Sequence, residues 1–221
     1  MKTRVKICCI KSVEEVEMAV RYGANALGFV SAMPSGPGPI SEEQIASIIP
    51  HVPTGIATFL LTSKQDAASI IEQQRRTHAN TLQLVDEVSF DTYKLLRTAL
   101  PGVSIVQVIH VTGSGALHQA LAVAPHVDAL LLDSGNPNLA VKQLGGTGRV
   151  HDWSISRTIC EKAGVPVFLA GGLKPENVAE AIRTVRPFAV DVCSGIRIGG
   201  QLDETALSRF FDSVALAESF P

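Results

Sequence analysis

A single-domain (β/α)8 barrel of the α/β class is the fold this sequence predicts, and three observations lead to it. The chain has 221 residues, inside the ~200 to 250 usual for an undivided α/β barrel. Short apolar, β-branched runs alternate with stretches of helical period, the pattern that parallel strands joined by crossover helices leave in a sequence. Eight such units can be counted, enough for the sheet to close on itself as a TIM barrel. The alternative, a doubly wound open sheet, more often carries GxGxxG after its first strand, where this chain has Cys8-Cys9-Ile10-Lys11.

The strands are expected at about 4–10, 25–30, 54–60, 80–84, 103–109, 127–132, 165–169 and 188–192. Helix starts lie between them. Ser12 precedes Val13-Glu14-Glu15, Ser41 precedes Glu42-Glu43-Gln44, and Ser63 precedes Lys64-Gln65-Asp66. Each serine offers a hydroxyl cap, and the acidic residues suit the positive end of a helix. Pro175 and Glu176 fit a first helical turn, and the last helix is expected from about Asp203 to Ala217.

Composition narrows the possible partners. Hydrophobic residues make up 46% of the chain and charged residues 18%, ample for a large core. The formal net charge is −2 and the charges are dispersed, so no basic stripe exists to bind nucleic acid. The start, MKTRVKICCI, lacks the apolar run of a secretion signal, and no stretch approaches the ~18 apolar residues of a membrane span. A cytoplasmic protein is expected, as a monomer or a homodimer. The cysteines Cys8, Cys9, Cys160 and Cys193 show neither CxxC nor zinc spacing, so no metal site and no disulfide framework is indicated.

In this fold the chemistry sits on the loops that follow the strands. The longest follow strand 2 (31–39) and strand 6 (133–150). The first, SAMPSGPGPI, holds three prolines and two glycines and reads equally as a substrate cover or a connector. Glycine clusters fall at three strand ends: Gly145-Gly146-Thr147-Gly148, Gly171-Gly172, and Gly195 after Cys193-Ser194. Singly, each is a turn. Together they suggest a phosphate cradle of Gly146, Gly148, Gly171, Gly172, Ser194 and Gly195, because glycine backbone lets N–H groups approach an anion closely.

Five segments in order resemble one family, phosphoribosylanthranilate isomerase of tryptophan biosynthesis. VKICCI is similar to its KICG segment and GANALGFV to its GADALGFVF strand. LLLDS with GGTGRVHDW, then LAGGLKPENV and DVCSGIR, resemble its LLDS, GGTG, FDW, LAGGLxPxNV and DVSSGVE motifs. The resemblance implies an Amadori rearrangement of N-(5-phosphoribosyl)anthranilate, a phosphorylated sugar substrate, with no cofactor and no metal. It also implies that Cys8 is the base that removes the C2 proton and Asp133 the acid that protonates the ring oxygen.

Each residue also has a reading of its own. Cys8 shares strand parity with Lys6 and Ile10, so only one of Cys8 and Cys9 is expected to face the barrel mouth. The other reading of Cys8 is an inert core thiol. Asp133 ends an apolar strand, where partial burial favours a proton-donating carboxyl; the other reading is an aspartate that starts a turn. Lys6 points inward beside strand 8, so it and Asp191 are expected to form a structural ion pair. Asp152 reads as the start of the sixth helix, and His110, ending strand 5, is the one histidine worth watching.

Departures from the family concentrate around the substrate. Gly38 stands where the family's SPRY segment has arginine, Cys9 replaces a glycine, Val85-Asp86 replaces HG, Cys193 replaces a serine, and Arg197 replaces a glutamate. The arginine resembles a binder of the anthranilate carboxylate, and Arg149 or Arg197 are the candidates to supply that charge instead. Restoring it by Gly38→Arg is then expected to lower KM. Three readings stand at this point: the family's own isomerase, a barrel isomerase or lyase for another phosphosugar, and a catalytically silent phosphometabolite-binding barrel.

Overall fold

The computed structural model describes residues 2–146 and 148–219. Eight parallel strands close into a barrel in chain order: β1 (Arg4–Ile7), β2 (Ala26–Val30), β3 (Ala57–Thr62), β4 (Thr81–Leu84), β5 (Ser104–His110), β6 (Ala129–Asp133), β7 (Val167–Leu169) and β8 (Ala189–Val192). The seam is the β1–β8 pairing, in which Lys6 lies opposite Asp191. A helix follows each strand: α1 (Val13–Arg21), α2 (Glu42–Ile48), α3 (Ala67–Thr77), α4 (Phe90–Ala99), α5 (Gly115–Val123), α6 (Trp153–Lys162), α7 (Val178–Val185) and α8 (Glu204–Ser219).

Strand alternation divides the apolar residues into two cores. Val5, Ile7, Leu27, Leu60, Leu82, Leu130, Leu132 and Val190 pack outward against the helices. Phe59, Leu61, Val106, Val108, Leu131 and Phe168 fill the barrel interior, where Phe59 and Phe168 meet edge to face at 5.5 Å between centroids. The interior is therefore a packed plug, and the chemistry of this fold belongs above it, at the carboxyl ends of the strands.

Two of the three expected serine caps form. Ser12 accepts from the Glu15 N–H and Ser41 from the Gln44 N–H. Ser63 does not cap: its hydroxyl donates to the Ala32 carbonyl, and α3 begins three residues later with Asp66 accepting from the Ser69 N–H. Pro175 and Glu176 lie in a turn ahead of α7, which Asn177 organises by accepting from the Lys174 N–H. Asp152 caps α6, as the sequence suggests. Among the described residues, no helix is long and apolar enough to cross a membrane.

Candidate active site

A cavity opens at the carboxyl ends of the strands. Its wall draws on the loops after β1, β2, β6, β7 and β8, and Cys8 and Asp133 both line it.

Cys8 follows directly on β1, its N–H still bonded to the Val192 carbonyl of the seam. Parity sends its side chain inward, as it does that of Lys6 two residues earlier. Gly28 of β2 makes the room: a Cβ there would lie 2.9 Å from the Cys8 Sγ and 3.0 Å from the Lys6 Nζ. The Lys6 ammonium, wholly buried, donates to Asp191 Oδ1 at 2.9 Å, the pair expected from the sequence. Burial pushes the Cys8 thiol up to about 11, and the neighbouring Lys6 ammonium opposes that rise. Burial also pulls Lys6 down, but Asp191 and Cys8 together hold it above its ordinary value. Lys6 thus has two tasks, neutralising Asp191 and offering positive charge to Cys8.

Asp133 closes β6 on the facing side of the mouth and is 8% exposed. Burial raises its carboxyl above the ordinary range, against a 2.7 Å hydrogen bond from the Ser134 N–H that favours the ionised form. The Asp191 carboxylate adds to the rise. A carboxyl so placed holds a proton more readily than a surface aspartate, which is the requirement for a general acid. The backbone of Gly145 sits directly over it, leaving 2.7 Å between Oδ2 and the place of a Cβ.

Of the expected cradle, Gly146, Gly148, Gly171, Gly172 and Ser194 line the cavity, while Gly195 does not, its Cα lying against the Leu173 carbonyl. Thr147, within the first cluster, lies outside the described residues. Gly146, Gly148, Gly171 and Gly172 all have positive φ, and a side chain at Gly172 would run into the Arg149 backbone.

Three expectations are corrected. Both Cys8 and Cys9 line the cavity, because β1 ends at Ile7 and Cys9 turns into the left-handed region at φ 65, which breaks the strand alternation. Cys9 is disulfide-bonded to Cys193 across the seam, with Cα atoms 6.0 Å apart, where no disulfide was expected. Gly38 is buried at φ +91, and a Cβ there would meet the Cys9 Cβ at 2.7 Å and Sγ at 2.8 Å. An arginine at that place is excluded by backbone and neighbour alike.

Neither candidate arginine lines the cavity. The Arg197 side chain is 3% exposed, paired with Glu15 at 2.7 Å and donating to the Cys8 and Cys9 carbonyls. It braces the turn that carries both cysteines. Arg149 reaches the Gln143 amide oxygen at 2.6 Å. Lys142 is tied to Asp86, so the replacement of HG by Val85-Asp86 creates an ion pair between the loops after β4 and β6. His110 bonds the Val85 carbonyl through Nε2, outside the cavity wall.

Two further lining residues escape the sequence reading. Asp191 reaches the cavity as well as Lys6. Gln83 of β4 is 3% exposed and lines the floor, with a side-chain oxygen that has no hydrogen-bond partner. Its inward parity was the available signal. Among the described residues, no group of three or more His, Cys, Asp or Glu side chains is placed to hold a metal ion.

An acid and a thiol facing one small cavity, under glycine-rich strand ends suited to an anion, define a (β/α)8 barrel enzyme of the sugar-phosphate isomerase class. The comparisons narrow this class to one family. The family model described as N-(5'-phosphoribosyl)anthranilate (PRA) isomerase matches residues 5–213, and the chain belongs to that family. The N-(5'-phosphoribosyl)anthranilate isomerase 2 of Methanosarcina mazei is 38% identical over 209 residues, covering 94% of this chain and 92% of the relative. The crystal structure of phosphoribosyl anthranilate isomerase from Thermotoga maritima superposes with a TM-score of 0.81 at 29% identity, covering 96% of this chain and 98% of that one. A structure of the isomerase in complex with reduced 1-(o-carboxyphenylamino)-1-deoxyribulose 5-phosphate gives a TM-score of 0.79 at 28% identity, with 96% and 98% covered.

Proposed function

We propose that the chain is a phosphoribosylanthranilate isomerase, an intramolecular oxidoreductase that converts the N-(5-phosphoribosyl)anthranilate of tryptophan biosynthesis to the 1-amino-1-deoxyribulose 5-phosphate. The observation that carries this is the pairing of Cys8 and Asp133 on one cavity, in a family member matched from residue 5 to residue 213. Asp133, its proton retained by burial, gives that proton to the furanose oxygen, and the ring opens to an iminium at C1. The Cys8 thiolate, formed with the aid of Lys6 and of the iminium charge, removes the C2 proton and leaves an enolamine. Return of a proton to C1 and loss of the enol proton give the aminoketose. The backbone at Gly146, Gly148, Gly171, Gly172, Ser194 and Gly195 holds the phosphate, with Gly195 acting through the main chain of the Ser194 turn. The chain works in the cytoplasm.

The packing of Cys9 against Gly38 favours a second reading, a related isomerase for a phosphosugar with a different group at C1, because no cationic side chain can stand at residue 38. One assay separates the two. Purified protein with N-(5-phosphoribosyl)anthranilate should give kcat/KM of ~10⁴ M⁻¹s⁻¹ or more and rescue a tryptophan auxotroph that lacks the isomerase. Activity orders of magnitude lower, without rescue, would overturn the first reading.

A further inference from the structure

Cys9 and Cys193 depart from the pattern of the family, and they touch each other. Their Cα separation of 6.0 Å lies within the range a disulfide requires. Cys9 occupies a left-handed backbone position, where a residue with a side chain is disfavoured and glycine is not. A cysteine kept there implies that its sulfur has a task. The bond joins the loop after β1 to the loop after β8, across 184 residues of chain, at the seam that closes the barrel. On one side its neighbour is Cys8, and on the other Ser194.

We infer that Cys9 and Cys193 are a reversible thiol–disulfide exchange site at the mouth of the cavity, opened by dithiol reductants. Both sulfur-bearing residues line the cavity, and Cys193 is only partly buried, so a thiolate from solvent can reach its sulfur. The first thiolate of the dithiol attacks Cys193, breaks the bond to Cys9 and forms a mixed disulfide. The second thiol then displaces Cys193. Two electrons and two protons pass to the protein, and the dithiol leaves as its own disulfide. The reduced Cys9 thiol already has an acceptor, the Pro37 carbonyl at 3.7 Å, so the open state is accommodated without rebuilding the turn. Opening removes the covalent tie between the β8 loop, which carries Ser194 and Gly195, and the β1 loop, which carries Cys8, and leaves only hydrogen bonds such as those of Arg197 to the Cys8 and Cys9 carbonyls. Ligand binding then has to restore that order.

The test needs no variant to begin with. Protein treated with oxidised or reduced dithiothreitol is denatured and alkylated. The oxidised form should label only Cys8 and Cys160, the two free cysteines, and the reduced form all four. Inorganic phosphate is the probe for the native protein, which keeps the result independent of the sugar substrate. Its affinity should fall about fivefold on reduction, the scale of re-ordering a loop side chain on binding. The melting temperature should drop by roughly 10 °C, as expected for opening so long a covalent loop. Cys9→Ser and Cys193→Ser should match the reduced protein in both buffers. Four labelled cysteines under oxidising conditions, blockage of any other pair, or equal phosphate affinity in the two states would overturn the inference.

Discussion

Gly38 and Cys9 are coupled through space, and the size of the coupling can be worked from their contact. Gly38→Ala places a Cβ 2.7 Å from the Cys9 Cβ and 2.8 Å from its Sγ, on backbone held at φ +91. The positive φ costs about 1–2 kcal/mol for any residue with a Cβ. The overpacking adds about 1–3 kcal/mol, giving a loss of roughly 2–5 kcal/mol. Cys9→Gly removes both close atoms and leaves only the residue 9 Cα, at 3.4 Å. The double variant should therefore regain the overpacking part, with a coupling energy of about 1–3 kcal/mol, while the cost of the positive φ persists. Urea denaturation of all four proteins in reducing buffer measures this with no contribution from the Cys9–Cys193 bond. Losses that simply add, within about 0.5 kcal/mol, would refute the steric reasoning. The same contact reverses the expectation from sequence for Gly38→Arg: its kcat/KM should fall, because the guanidinium's own Cβ has no place to stand.

Three further outcomes follow from the buried charges. Lys6→Met strands the Asp191 carboxylate and should cost about 3–5 kcal/mol in urea denaturation, much of it recovered in Lys6→Met/Asp191→Leu; an unchanged midpoint would contradict the buried pair. Asp133→Asn should lower kcat by ~10² or more while KM stays near the wild-type value, and an unchanged kcat would remove Asp133 from the proton transfer. In a Cys160→Ala background, stability should fall as pH rises from about 8.5, the ordinary thiol value, to about 11, the folded value for Cys8, by at most ~1.4 kcal/mol per pH unit. The sign follows because the unfolded chain gives up the proton first. Cys160 must be removed since burial lifts its thiol to about 11 as well, and the profile is read below pH 10 because burial also raises the Tyr93 phenol; a flat profile there would contradict a buried, protonated Cys8.

All eight strands were legible because each is an apolar run between helical stretches, and their ends shifted by no more than three residues. Ser12 and Ser41 announced their helices by local chemistry alone. Ser63 failed because a competing acceptor, the Ala32 carbonyl, took its hydroxyl, and that contact spans 31 residues. The Lys6–Asp191 pair was legible from barrel closure plus parity, two rules that hold within regular strands. Parity ended with β1, so it gave Cys8 its direction and misdirected Cys9. The Cys9–Cys193 bond lies between irregular residues at opposite ends of the chain, where no spacing rule applies. Arg197 looked like a ligand contact because it sits in a loop at the mouth, yet Glu15 of α1 claims it, again a partner from the far end of the chain.

The β1–β8 seam bears on how such a chain emerges from the ribosome. Lys6 is made 185 positions before its counter-ion, Asp191. Until then, any partial barrel that buries β1 must take an ammonium group out of water without compensation, at a cost of several kcal/mol. Nascent intermediates are thereby kept from sealing around β1 too early. The last strand of the barrel is the one that makes burial of its first favourable, so closure waits for β8 and comes as one cooperative step, with long-range pairing setting its pace.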